Sequence, residues 1–131
     1  MTNSWPRACS EFFSLPYSPT GWDCADLTLA VQRKLFGRGP IIPDDRHIAR
    51  RHLRRIFAEH LESTSTPQDG DVVLMRECGR LKADHVGTYL VVGGEPCVLH
   101  TTQSTDTTFT RLRHLADLGL RIEDIYTWRA A

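Results

Sequence analysis

The order of the predicted elements along this 131-residue chain indicates an α+β fold, with helices first and an antiparallel sheet afterwards. Segments with helical periodicity occupy residues 23–62, and short apolar or alternating segments fill residues 69–131. Residues 1–22 are punctuated by proline and glycine and are predicted to form a loop-rich arm. Because 40% of the residues are hydrophobic, the chain can bury one core, and we expect a single domain over residues 1–131.

The first main helix is predicted in the segment CADLTLAVQRKLFG, from Cys24 to the glycine at position 37. Leu27 and Val31 recur at helical spacing, and a glycine commonly closes a helix. Asp23 stands directly before the first turn, where an aspartate often caps the helix. Cys24 is therefore placed at a helix amino terminus.

A second amphipathic helix is predicted in DDRHIARRHLRRIFAEHLE, with Asp44 or Asp45 at its start. Its buried stripe is expected to consist of Ile48, Leu53, Ile56, Phe57 and Leu61. Its arginines could form a nucleic-acid patch, but no aromatic residues interleave with them, and 16 basic residues balance 16 acidic ones. A solvated or protein-docking face is favoured, and we expect neither a nucleic-acid nor a membrane partner.

The sheet is predicted from the strands DVVLM, HVGTYLVV and CVLHTT, with IEDIYTW as a last strand and RLRHLADLGL as a short helix or turn. The segment GGEP joins two of these strands as a hairpin. If its loop has four residues, His100 lies opposite Tyr89, and His85 shares that face because strand side chains alternate. The two histidines are therefore expected to point to one side of the sheet.

These positions supply the parts of a thiol-based catalytic site. A thiol attacks as the thiolate, and its pKa falls at a helix amino terminus beside a histidine. Cys24 is then the candidate nucleophile, His85 its base, and His100 the residue that orients the base. The remaining cysteines, Cys9, Cys78 and Cys97, show no paired spacing typical of a metal site and are expected to be packing residues.

Four segments resemble, in the same order, those of the NlpC family of cell-wall cysteine peptidases. GWDCADLTLAV is similar to the nucleophile segment, PQDGDVVLM to the first core strand, DHVGTYL to the strand with the base, and VLHTT to the third catalytic strand. The resemblance covers roughly residues 17–104. It implies a papain-like core with its nucleophile at the start of the first main helix. It also implies hydrolysis of an amide bond in peptidoglycan stem peptides, without a cofactor or metal.

The resemblance also assigns roles to individual residues. Cys24 matches the nucleophile of the family, His85 its base and His100 its orienting third residue. Asp23 matches an acidic residue that helps to hold the free amine of the stem peptide. Tyr17 matches an upstream tyrosine of the same pocket.

One departure from the family concerns the residues that follow the nucleophile. Where the family usually has Ser-Gly, this chain has Ala25 and Asp26. A carboxylate facing the thiol would disfavour the thiolate, whereas one facing the helix end would complement the helix dipole. The sequence leaves both orientations open. The first would fit a non-enzymatic structural subunit that keeps the fold.

The sequence also gives an expectation of where the protein is made and where it acts. The segment MTNSWPRACSEFF lacks the features of a secretory signal, so we expect synthesis in the cytoplasm and delivery by another route. The segment DIYTWRAA resembles tail-assembly proteins of phages that carry this domain. We therefore expect a phage tail component that contacts other tail proteins, with an injected peptidoglycan amidase effector as the alternative.

Overall fold

The computed structural model describes residues 5–19, 22–38, 47–81, 83 and 85–129, and leaves the side chains of residues 47–53 undescribed. Helices precede an antiparallel sheet, so the predicted α+β class is confirmed. The helices are α1 (Trp5–Ala8), α2 (Ser10–Phe13), α3 (Cys24–Phe36), α4 (His47–His60) and a 3₁₀ helix (Leu112–Leu118). The strands are β1 (Leu61–Ser63), β2 (Val72–Glu77), β3 (His85–Val92), β4 (Glu95–Thr102), β5 (Asp106–Arg111) and β6 (Leu120–Trp128). Among the described residues, no helix is both long and apolar enough to cross a lipid bilayer.

The α3 helix has the boundaries that its sequence predicts. It begins at Cys24, and Gly37 closes it in the left-handed conformation, with a φ of 61°. Leu27 and Val31 of its predicted apolar stripe are completely buried, and Leu27 packs in one cluster with Leu90 of β3 and Leu99 of β4. This packing fixes α3 against the middle of the sheet.

The α4 helix is shorter at its carboxyl end than the sequence predicts. Its predicted start at residues 44–45 lies outside the described residues, and within its stripe Ile56 is buried and Phe57 is partly buried. The helical part was expected to reach residue 62, but Leu61–Ser63 form β1 instead. These residues leave the helix because they pair with β6 at the edge of the sheet.

The sheet has six antiparallel strands in the order β1-β6-β2-β3-β4-β5. The sequence predicts β2, β3, β4 and β6, but it does not predict the two edge strands β1 and β5. The segment of β5, DTTFTR, is dominated by threonine and lacks a clear apolar alternation. It becomes a strand by pairing with β4 along its whole length.

The hairpin between β3 and β4 has a two-residue loop, so the predicted four-residue loop is wrong. Gly93–Gly94 form the turn with φ values of 59° and 81°, which suit a tight hairpin turn. Tyr89 is consequently paired with Val98 and not with His100. The register differs from the prediction by two residues, and a shift of two keeps every side chain on its face. The two site histidines therefore still share one face of the sheet.

The amino-terminal arm is anchored to the sheet by polar contacts. The Trp5 indole N–H donates to Asp69 at 3.1 Å, and the backbone N–H of Tyr17 donates to Asp106 at 3.0 Å. Two short helices, α1 and α2, lie within the arm, which was predicted to be loop-rich. These contacts bring Tyr17 to the end of the sheet near β5.

Candidate active site

Cys24 occupies the first position of α3, where a reciprocal pair of hydrogen bonds fixes the backbone. Asp23 accepts a hydrogen bond from the backbone N–H of Asp26 at 3.0 Å, and the Asp26 carboxylate accepts one from the N–H of Asp23 at 3.0 Å. This capping box satisfies N–H groups of the first turn and places carboxylates near the positive end of the helix dipole. The Asp26 carboxylate is therefore directed at the helix start, which the sequence left open.

A cavity of about 520 Å³ lies beside the amino end of α3. Cys24 and His85 both line it, and Cys24 packs in one cluster with Val86, so the start of α3 meets the start of β3. Tyr17 from the arm also lines the cavity. Three of the predicted site residues, two from the first 24 residues and one from β3, thus line one cavity.

The cavity has polar walls. Glu77, the last residue of β2, and Arg80, from the connection between β2 and β3, line it and form an ion pair with an N–O distance of 3.0 Å. Both side chains are more than half exposed, so this pair is screened by solvent. A substrate with one positive and one negative group can therefore contact the Glu77 carboxylate with the first and the Arg80 guanidinium with the second.

His85 and His100 form a buried pair behind the cavity wall. Nε2 of His85 lies 2.8 Å from Nδ1 of His100, and the two rings are tilted by 72°. Nε2 of His100 lies 2.8 Å from Oγ1 of Thr110 in β5. Since His100 is completely buried, this chain of hydrogen bonds runs from the cavity into the sheet.

The protonation state of His100 follows from its burial. Burial and, to a smaller extent, the nearby His85 lower the pKa of His100 from its ordinary 6.5 to about 3. His100 is therefore neutral at physiological pH, with one ring nitrogen protonated and the other able to accept. A neutral His100 can accept a hydrogen bond from the Nε2–H of His85, which makes Nδ1 the basic nitrogen of His85.

The buried neutral His100 predicts a loss of stability in acid. The unfolded chain takes up a proton at this residue near pH 6.5, whereas the folded protein resists protonation down to a pH of about 3. The unfolded state therefore binds more protons than the folded state in this window. The contribution of neutral His100 to the free energy of unfolding is fully present above pH 6.5 and is lost by about 1.4 kcal/mol per pH unit as the pH falls. Urea unfolding between pH ~7 and pH ~4.5 should show a steeper loss in the wild type than in His100→Asn. Parallel losses in the two proteins would contradict this prediction.

Gly87 allows β4 to approach β3 closely enough for the two histidines to meet. A Cβ atom at position 87 would lie 2.5 Å from a Val98 methyl, 2.8 Å from the Leu99 carbonyl and 3.1 Å from Cβ of His100. The first two distances are shorter than packed atoms tolerate, and the third is tight. A glycine within a strand often marks a close approach of this kind, so Gly87 is the feature of the sequence that indicates this contact.

The change Gly87→Ala is expected to destabilise the fold by about 1–3 kcal/mol, because the added methyl forces β3 and β4 apart. It should also lower any catalytic activity, since His100 is displaced from His85. Gly94→Ala is the matched control, because position 94 has a positive φ of 81° but open space around it. We expect the control to cost about 1–2 kcal/mol through its backbone and to retain activity. Equal activity loss in both variants, measured beside urea unfolding, would remove the specific role of Gly87.

The three remaining cysteines differ in environment. Cys9 and Cys97 are buried, as expected for packing residues, whereas Cys78 is exposed and the packing prediction is wrong for it. Burial and the nearby Glu11 raise the pKa of Cys9 to about 11, and burial raises the pKa of Cys97. Cys9 and Cys97 are therefore poor nucleophiles near neutral pH.

The predicted site residues that do not line the cavity have other positions. His100 contacts the ring of His85 from the neighbouring strand β4. One carboxylate oxygen of Asp23 accepts the capping hydrogen bond from the N–H of Asp26. Binding of a substrate amine by Asp23 stays a prediction. The sequence did not single out Thr110, because the strand that carries it was not predicted. Among the described residues, no cluster of three histidine, cysteine or acidic side chains is arranged to hold a metal ion.

The chain matches no family model, and a search of curated proteins finds no match to its sequence.

Proposed function

We propose that this protein is a cysteine peptidase with a papain-like core that hydrolyses an amide bond in peptidoglycan stem peptides. One observation carries the proposal: Cys24, at a helix start, and His85 line one cavity, and Nε2 of His85 is bonded to the buried His100. A thiol, a base and a residue that orients the base are the parts that thiol-based acyl transfer requires.

In the proposed reaction, Nδ1 of His85 takes the proton from the Cys24 thiol. The thiolate attacks the carbonyl carbon of the scissile amide, and the carbonyl oxygen becomes an oxyanion. The backbone N–H of Cys24 at the start of α3 would stabilise this oxyanion, whereas the N–H of Asp26 is bonded to the Asp23 carboxylate. The protonated His85 then donates its proton to the departing amine, which leaves a thioester on Cys24.

Water completes the proposed cycle. His85 removes a proton from a water molecule, the resulting hydroxide attacks the thioester carbonyl, and the bond to sulfur breaks. His85 returns the proton to the Cys24 sulfur or shares it with the thiolate. The net reaction consumes one water molecule and releases a carboxylic acid and an amine.

The proposed substrate class is supported by the cavity and by the sequence. A volume of about 520 Å³ lies within the range that holds a short peptide or another small ligand. Stem peptides carry both amino and carboxylate groups, which match the acidic Glu77 and the basic Arg80 on the cavity wall. The resemblance of four segments to NlpC peptidases adds Asp23 and Tyr17 as the proposed contacts of the stem-peptide amine.

The geometry of Asp26 favours an enzyme over a non-enzymatic structural subunit. The alternative of a non-enzymatic subunit was based on the Asp26 carboxylate, which lies two residues from the Cys24 thiol in the sequence. The capping box gives that carboxylate a role at the helix start, in hydrogen bonding to the N–H of Asp23. Helix capping therefore explains the presence of Asp26 without a loss of catalytic activity.

The proposal is tested with purified wall fragments. The protein is incubated with soluble muropeptides of known stem sequence, and the products are identified by mass spectrometry. Hydrolysis should yield pairs of fragments whose masses add up to the parent plus one water molecule, together with a new primary amine. A sample alkylated at its cysteines is the control. Binding to the wall without cleavage of any muropeptide would support the structural subunit instead.

We also propose that the protein acts as a component of a phage tail, on the strength of the resemblance of DIYTWRAA to tail-assembly proteins. Mass spectrometry of purified phage particles should then detect the chain in the tail fraction. Its absence from particles, together with an adjacent gene for an immunity protein, would favour the injected amidase effector.

A further inference from the structure

The hydrogen-bond chain behind the cavity does not end at His100. Oγ1 of Thr110 lies 2.8 Å from Nε2 of His100, a distance typical of a hydrogen bond. Thr110 is not directly opposite His100 in the sheet, because the register pairs His100 with Thr108. The contact is therefore a diagonal one, two residues further along β5.

The direction of these hydrogen bonds matters once His85 has taken the thiol proton. An imidazolium donates from both ring nitrogens, so Nε2 of His85 must then donate to Nδ1 of His100. His100 has a single ring proton in its neutral form, and that proton must consequently lie on Nε2. Inside a buried environment this N–H needs an acceptor, and Oγ1 of Thr110 stands within reach.

We propose that Thr110 is a positioning residue that accepts the Nε2–H of His100 and so holds His100 in the tautomer that supports a protonated His85. This inference rests on the proposed function for its effect on catalysis. Thr110 touches neither substrate nor thiol in this role and acts only through the two histidines. Because the acceptor is needed most when His85 is charged, its removal should affect turnover more than substrate binding.

The kinetic test compares three variants of the 131-residue chain. Thr110→Val keeps the shape and removes the acceptor, and it should lower kcat by about 10- to 100-fold with KM little changed. Thr110→Ser keeps the hydroxyl and should restore most of the loss. Thr108→Val is the matched control. Thr108 lies on β5, as Thr110 does, and is paired directly with His100 of β4, but its hydroxyl contacts the carbonyl of Phe109. The control should stay within about twofold of the wild type.

A spectroscopic test separates positioning from general damage to the fold. The ¹⁵N chemical shifts of the ring nitrogens of His100 report which of them carries the proton. The wild type and Thr110→Ser should show the proton on Nε2, whereas Thr110→Val should show a mixture of the two tautomers.

The two tests together decide the proposal. A proton on Nδ1 of His100 in the wild type overturns it, and so does a Thr110→Val variant in which either the tautomer or kcat is unchanged. A wild type that cleaves no muropeptide refutes the proposed function, and the tautomer comparison alone then decides whether Thr110 positions His100. The failure of one proposal is thereby distinguished from the failure of the other.

Discussion

Replacing Cys24 with alanine is expected to abolish muropeptide hydrolysis, with a loss of at least about 10³-fold in kcat. The change removes the sulfur that forms the thioester, and in the proposed site no other described residue takes its place. The protein should stay folded at a cost of about 1 kcal/mol, because alanine keeps the Cβ and removes only one sulfur atom from the buried cluster around Cys24. Hydrolysis is measured by the release of new primary amines, and folding by thermal unfolding of both proteins.

Cys97→Ala is the matched control for this prediction. Cys97 is also buried, but it lies on β4 at a second cavity, away from Cys24. Burial raises the pKa of its thiol, so its loss should change hydrolysis by no more than about twofold. Continued amine release by Cys24→Ala, or equal loss in the two variants, would refute Cys24 as the nucleophile.

Replacing His100 with alanine is expected to lower kcat by at least about 10²-fold while KM changes little. The reason is the 2.8 Å contact between Nδ1 of His100 and Nε2 of His85. Without it, the imidazole of His85 loses the partner that selects its tautomer and stabilises its protonated form. The measurement is steady-state kinetics on a single muropeptide, with the concentration of folded protein determined independently.

Two further variants make this prediction specific. Val98→Ala truncates a completely buried side chain on the same strand and face, so it should cost about 2 kcal/mol in stability but retain kcat. His100→Asn supplies an amide oxygen that can accept from Nε2–H of His85, and it should recover part of the lost turnover. An equal loss of kcat in Val98→Ala and His100→Ala would reduce His100 to a packing residue.

Local sequence signals predicted the position of Cys24 well. The helical spacing of Leu27 and Val31, the aspartate before the first turn and Gly37 after the last turn all act within a few residues of each other. Interactions of this range are encoded in the segment itself, so the start and end of α3 could be predicted without knowledge of the rest of the chain.

The pairing of the two histidines was predicted from an incorrect hairpin. The two-glycine turn shifts the register by two residues from the prediction, and the alternation of strand side chains kept His85 and His100 on one face nevertheless. A shift of one residue would have placed His100 on the other face. The predicted register was wrong by two residues, and an even shift leaves each side chain on its face, so the prediction of a shared face was correct. That prediction depended on a turn whose length the sequence did not define.

The sequence by itself determined the α+β class, the helix start at Cys24 and the segments that carry the two histidines, since these depend on periodicity and on neighbouring residues. Only the tertiary structure decided that Cys24, His85 and Tyr17 line one cavity, that Asp26 faces the helix start, and that Thr110 lies against His100. The cavity and the Thr110 contact depend on packing between elements far apart in the chain. In particular, β5 has little strand signal of its own and forms because β4 supplies its hydrogen-bond partners.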